Sequence, residues 1–167
     1  MKKLTILNLL LMFSISLAAK SYAETTNQWG AAVFGTRLSI VLTNNVLPAG
    51  SKVLLSCITT NCSTNNVYFV RTESRGMYEV DLLDDSEKRI ELNNPANAGD
   101  TSDRWGGVAA GKSFECPVPL LFDKTLKPGH YRLVARQEIY LKKNPGRKNL
   151  IYGQGKLVSN QLDIEVK

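Results

Sequence analysis

From His130 to Lys143 the chain reads HYRLVARQEIYLKK, and its side chains change character at every second position. Tyr131, Leu133, Ala135, Ile139 and Leu141 point one way; His130, Arg132, Arg136, Glu138 and Tyr140 point the other. A period of two belongs to a strand with one buried face, whereas a helix repeats every 3.6 residues or so. Shorter runs of the same kind fill most of the remaining chain. TRLSIVLT (36–43) aligns Leu38, Ile40 and Leu42, and KVLLSCITT (52–60) aligns Val53, Leu55 and Cys57. NVYFV (66–70) and MYEVDLL (77–83) follow, and LLDDSEKRIEL reads as a hairpin turning at Asp84-Asp85-Ser86. NNVLPAGSK (44–52) reads as a turn and NNPANAGDTSDRWGG (93–107) as a long polar loop. KSFECPVPLLF (112–122) puts Phe114, Cys116 and Val118 on one face; Pro117 and Pro119 assign it to a sheet edge or a bulge. KLVSNQLDIEVK closes the chain with Leu162, Ile164 and Val166 aligned, after a basic connection, KKNPGRKNLIYGQGK. The expectation is an all-β domain: a two-sheet antiparallel sandwich of seven or eight strands.

The segment LKPGHYRLVA, Leu126 to Ala135, resembles the corner before strand F of fibronectin type III and immunoglobulin-like domains. The closing SNQLDIEV is similar to their final strand, and VLLSCITTNCSTNNVYFV to their strand B, turn and strand C. The resemblance implies that Tyr131 buries its ring and bonds its hydroxyl to backbone upstream. It also implies that the strands of Cys57 and Cys116 are neighbours. The position of the antibody-type inter-sheet cysteine is Leu133, so that disulfide is not expected.

The N-terminus reads as a secretory signal peptide, residues 1–23. Lys2 and Lys3 precede a mostly apolar run, Leu4 to Ala19, and Ser21-Tyr22-Ala23 is a small-residue cleavage site of bacterial type. The run is shorter than the roughly 20 residues that span a bilayer, so no transmembrane segment is expected in the mature chain. A single domain, 24–167, remains, exported to the periplasm or beyond the cell. Cleavage removes three basic residues and leaves 18 basic against 15 acidic side chains, which gives weak support to nucleic-acid binding. Charge is unevenly placed: residues 73–103 hold nine acids and three bases, and residues 126–156 hold eight bases and one acid. The two stretches either steer a charged partner or neutralise each other as neighbours.

The stretch GGVAAGKS, Gly106 to Ser113, matches the phosphate-loop pattern G-x-x-x-x-G-K-[ST] letter for letter. That loop works by following a strand and opening a helix, whose N-terminal dipole meets the phosphates. Here a loop-like segment precedes it, and FECPVPLLF follows, with two prolines that forbid a helix. No nucleotide is expected, and no cofactor. His130 is the lone histidine and reads as a surface residue without an orienting partner. Asn97, Asp100 and Asp103 offer oxygen ligands for Ca²⁺, but at no recognised spacing. No metal is assigned. Of the three cysteines, Cys57 is open to a bridge with Cys62 or with Cys116, or to burial as a small hydrophobe. Trp29 and Trp105 read as packing residues.

What remains is surface. Arg132, Arg136 and Tyr140 share the outer face of strand 130–143, followed by Lys142, Lys143, Arg147 and Lys148. The chain is therefore expected to be a non-catalytic exported protein that binds a protein or an anionic envelope component through this face and the 142–156 loop. Pairing of that face with Asp163 and Glu165 on the last strand competes with this reading. The alternative is an enzyme inhibitor presenting the 142–156 loop, and a second alternative is a hydrolase with a site near the 93–107 loop.

Overall fold

A computed structural model describes residues 29–71, 77–92, 104–142 and 151–167. The expected signal peptide, the loop residues Asn97, Asp100 and Asp103, and the basic residues Lys143, Arg147 and Lys148 lie outside them. Among the described residues every regular element is a strand: β1 (Thr36–Val41), β2 (Val46–Leu47), β3 (Lys52–Asn61), β4 (Val67–Arg71), β5 (Glu79–Leu83), β6 (Arg89–Ile90), β7 (Arg104–Val108), β8 (Ser113–Leu121), β9 (Gly129–Lys142), β10 (Ile151–Val158) and β11 (Leu162–Val166). They form two sheets. The smaller has the order β1-β3-β8; the larger runs β2-β11-β9-β4-β7, with β10 also beside β9, and β5 between β9 and β6.

The 14 residues of β9 organise the larger sheet. Residues 129–133 pair with β11 and 136–142 with β10; residues 132–136 pair with β5, and Tyr140 pairs with Tyr68 of β4. Because β5 shares positions 132 and 133 with β11, those two strands lie on opposite edges of β9. By the same reasoning at positions 136 and 140, β10 lies opposite β5 and β4. The inner face follows the sequence alternation. Tyr131, Leu133, Ala135, Ile139 and Leu141 are buried and join Leu38, Ile40, Leu55, Cys57, Val118, Leu120, Leu157 and Ile164 in one core. Each aliphatic side chain so withdrawn from water contributes roughly 1.5–3 kcal/mol.

One inward position of β9 is polar. Gln137 accepts a hydrogen bond from Thr59 Oγ1 of β3 at 2.7 Å, and Thr59 Oγ1 lies 3.0 Å from the Tyr78 hydroxyl. The Thr59 proton is committed to a carbonyl oxygen, so Tyr78 is the donor to Thr59. The chain of bonds ties the two sheets together inside the core, where an unmade bond is costly. Burial pushes the Tyr78 phenol well above its ordinary pKa, against the smaller lowering effect of the Thr59 bond.

Three strand segments were not expected. β2 lies inside the supposed 44–52 turn and pairs in parallel with β11. Residues 104–107, read as loop, belong to β7, which pairs with β4. Its glycines are what the fit requires: a Cβ on Gly106 would come within 2.2 Å of the Phe69 ring, and one on Gly107 within 3.1 Å of Tyr68. The described residues of the supposed 142–156 loop are strand, since Lys142 ends β9 and Ile151 opens β10. Gly155 of β10 admits Val33, whose Cγ1 would lie 2.5 Å from a Cβ there. With these additions the seven or eight expected strands become eleven among the described residues.

The corner before β9 forms as expected. Tyr131 is buried, and its hydroxyl donates to Lys127 O at 2.7 Å. Tyr131→Phe removes that bond and should cost about 1 kcal/mol, rising to about 3 kcal/mol if the carbonyl is left dry. Tyr131→Ala should cost roughly 3–5 kcal/mol by opening a cavity as well. Urea denaturation of the variants checks this; a loss no larger for Tyr131→Ala than for Tyr131→Phe would remove the ring from the core.

Candidate functional site

The same alternation that buries Leu133 and Ile139 turns Arg132, Arg136, Glu138, Tyr140 and Lys142 to the outer side of the larger sheet. The side chains there are not a free basic row. Arg132 forms an ion pair with Glu87, in the turn after β5, and donates Nη1–H to Gln161 at 3.2 Å. Its register partner on β11 is Asp163, the expected acid, yet the guanidinium reaches the opposite edge instead. Arg136 pairs with Asp81, and Asp81 also takes Arg89 Nε at 2.7 Å. Arg89 continues to Glu79 at 3.3 Å, and Glu79 to Lys156 of β10 at 3.3 Å.

Asp81 is the centre of this arrangement. It sits on an outward position of β5, diagonal to Arg136, because Asp81 faces Val134 and Glu79 faces Arg136 in the register. It is 1% exposed, with the guanidinium groups of Arg89 and Arg136 on its two oxygens. A buried carboxylate is tolerable only when paired in this way. Partial burial pushes the Glu79 carboxyl upward, but Lys156, Arg89 and Arg136 outweigh it and hold the group below the ordinary carboxylate range. The ion pairs of this face all join the acid-rich stretch to the base-rich stretch or lie within the former; the Lys167–Glu165 pair at the chain's end lies outside both. Of the two readings of the uneven charge, mutual neutralisation is therefore the one these contacts realise.

At the far end of β9 the surface is aromatic. Tyr140 meets Trp105 of β7 edge-on, with ring centroids 5.4 Å apart, and its hydroxyl donates to Glu138 at 2.8 Å. Lys142 differs from expectation. It is 7% exposed, and its ammonium lies over the Trp105 ring. A cation over an indole face gains most when desolvated, about 2 kcal/mol. Lys142 is thus a buried member of the sheet and not the first residue of a surface loop. Trp105 and Tyr68 were missed as parts of this face because their strand pairing depends on Gly106 and Gly107, which carry no strand signal.

The phosphate-loop match falls on a turn that carries the chain from the larger sheet to the smaller. Gly106 to Val108 end β7, and Ser113 opens β8, a strand where a phosphate site needs a helix. The turn's amides are also engaged: Ala110 N–H donates to Asn66 at 3.1 Å and Lys112 N–H to Ala109 O at 3.1 Å. His130 is exposed, faces Glu165 in the register, and its side chain makes no hydrogen bond or ion pair among the described residues. No group of three histidine, cysteine, aspartate or glutamate side chains among the described residues is placed to hold a metal ion. An open cleft of about 350 Å³ beside Tyr131 is lined by Asp84, Glu91 and Asp123. Asp84 and Asp123 already accept bonds from Ser86 and Lys88, and from Thr125, which hold both carboxyls below their ordinary range.

The three cysteines are free thiols. Cys57 and Cys62 are five residues apart along extended β3 and its end, roughly 16 Å, beyond the 7 Å or so a disulfide spans. That alternative is removed. Cys57 and Cys116 are register partners on neighbouring strands. Burial, with Cys116 as neighbour, pushes the Cys57 thiol far above its ordinary pKa.

No protein family matches the chain, and no curated protein does. Among solved structures it is similar to AvmM, which catalyzes macrocyclization in alchivemycin A biosynthesis, at 12% identity and TM-score 0.43 over 80% of this chain and 89% of that one. It is also similar to a beta-glucosidase from Listeria innocua, at 14% identity and TM-score 0.44, over 78% of this chain but only 16% of that one. A PapD-like domain of human CEP192 is similar at 11% identity and TM-score 0.37, over 82% of this chain and 88% of that one. None of these values assigns an activity.

Asp81→Asn should lower stability by about 1–3 kcal/mol, since it leaves two partly exposed guanidinium groups facing a neutral amide; the loss for a fully buried pair is greater. A double-mutant cycle with Arg136→Met checks the coupling. Additive losses would mean that Asp81 is not held by Arg136.

Proposed function

We propose that the chain is an exported immunoglobulin-like sandwich that works by binding another protein through the outer face of its larger sheet. The order β1-β3-β8 against β4, β9 and the β10–β11 line, with the corner tyrosine before β9, supports the immunoglobulin-like reading, in which strands A, B and E face C, F and G. The first 23 residues support export.

The observation that carries the binding reading is the state of the outer face. Arg132 and Arg136 remain 25% and 30% exposed while fixed by Glu87 and Asp81. Beside them stand Tyr140 and Trp105. Side chains held in this way lose little further freedom on contact, which lowers the cost of binding. Arginine and aromatic groups are the types that carry interface energy. Because the acids balance the bases, the partner this face suits is a protein of mixed charge, in preference to a uniformly anionic envelope polymer.

A charge swap tests this without removing an ion pair: Glu87→Arg combined with Arg132→Glu. An exposed pair of this kind is worth about 0–1 kcal/mol, so the fold should survive. Capture from the envelope fraction should retrieve a saturable protein partner with the original chain, bound at least about tenfold more weakly by the swapped chain, since like charges brought together are strongly unfavourable. Equal affinity for both, or no saturable partner for the original chain, contradicts the proposal.

A further inference from the structure

Two of the three cysteines stand side by side. Cys57 on β3 and Cys116 on β8 are register partners. Asn61 N–H donates to Lys112 O and Phe122 N–H to Ser51 O, so every second pair between these strands exchanges backbone bonds, and Cys57–Cys116 is such a pair. Directly opposed residues project to one face, and Cys57 belongs to the core. Both thiols therefore lie on the inner face of the smaller sheet. Opposed Cα atoms in a hydrogen-bonded pair are about 5.5 Å apart, within the roughly 4.4–6.8 Å that a disulfide spans. In the thiol form Cys116 Sγ lies 3.8 Å from Pro117 O, a weak contact that rotation of the side chain gives up.

The two sulfurs differ in access. Along the inward positions of β8, Leu120 and Val118 are buried, Cys116 is half-buried and Phe114 is exposed. The space between the sheets thus opens toward the Cys116 end. Cys57 is fully buried, and burial, with Cys116 beside it, pushes its thiol well above the ordinary range. The thiolate is the form that attacks a disulfide, so Cys57 is a poor first nucleophile and Cys116 is the accessible one. Cysteines buried only as small hydrophobes have no need of a shared register position.

We propose that Cys57 and Cys116 form a reversible cross-strand disulfide by thiol–disulfide exchange, with Cys116 as the entry thiol and Cys57 as the resolving thiol. The half-buried entry sulfur suits a small oxidant, a low-molecular-weight disulfide. Cys116 gives up its proton and its Sγ bonds to one sulfur of that disulfide; the S–S bond breaks, and the other sulfur leaves as a thiolate that takes up a proton. Cys57 Sγ then attacks Cys116 Sγ, and its proton goes to the second leaving sulfur. Two protein thiols are oxidised to one bond, and one disulfide is reduced to two thiols. A hydrogen-bonded pair holds its Cβ atoms toward the wide end of about 4.5–5.5 Å, whereas a disulfide prefers about 3.8 Å. Closing must draw the strands together, which puts the bridge among the readily reduced ones. It staples β3 to β8 around the intervening chain, which carries β4 to β7 through the larger sheet. The proposed export would place the pair where disulfides are available, but the geometry does not rest on export.

Equilibration of the purified chain in glutathione buffers tests the proposal, read by thiol counting after acid quenching and by mass analysis of the peptides. No partner or cell extract is involved, so the outcome is independent of the binding reading. Cys62→Ser removes the exposed third thiol. As reduced glutathione gives way to oxidised, that chain should lose both remaining thiols together, with the peptides of Cys57 and Cys116 joined, and excess reduced glutathione should restore both. With Cys57→Ala added, the reaction should stop at glutathione on Cys116. With Cys116→Ala added instead, Cys57 of the folded chain should react at least about tenfold more slowly than Cys116 does. If Cys57→Ala fails to fold, the joined peptides of the Cys62→Ser chain decide. Two free thiols in every buffer, glutathione on both cysteines without a joined pair, a bridge that excess reduced glutathione leaves closed, or Cys57 reacting as fast as Cys116 overturns the proposal.

Discussion

The register of β9 is the constraint on which the rest of the molecule depends. Both of its edges are used twice, by β11 and β10 on one side and by β5 and β4 on the other. Strand pairing has a period of two, so a slip of one residue would exchange its faces completely. Arg132, Arg136 and Glu138 would then enter the core, and Leu133, Ala135 and Ile139 would leave it. Neither set of side chains tolerates that exchange. Tyr131 and Gln137 fix the same register by position: one must reach Lys127 O, the other Thr59. The polar contacts inside the core therefore select the alignment that hydrophobic burial favours, which is how a sequence specifies one structure.

That register also composes the outer face. β5 is held with Asp81 diagonal to Arg136, and the short turn to β6 brings Arg89 to the other side of the carboxylate. The acidic and basic stretches, far apart in sequence, thereby meet side by side. A chain that looks like a basic strand next to an acidic loop becomes a nearly balanced surface of fixed charges with an aromatic end. The proposed protein-binding role rests on that order and not on net charge.

The parts legible from sequence were those governed by local chemistry. Alternation marked both faces of β9, the Leu-x-Pro-Gly-x-Tyr spacing marked the corner, Pro117 and Pro119 marked an edge, and Asp84-Asp85-Ser86 marked the β5–β6 turn. The parts that were not legible depend on distant partners. Gly106, Gly107 and Gly155 are poor strand formers alone, and become necessary only where Phe69, Tyr68 and Val33 press against them. Two-residue β2 has no periodicity to detect. Lys142 reads as surface until Trp105, from another strand, covers it. Arg132 selects Glu87 over its register neighbour Asp163, a choice made by side-chain reach across the sheet.

Amide hydrogen exchange tests the role of β9 most directly. If one cooperative strand organises the larger sheet, the amides of residues 131–141 that bond to neighbouring strands should share a single opening free energy equal to that of global unfolding. Opening of 130–135 and 136–142 with separate free energies, the second half exchanging while the first stays protected, would contradict the account.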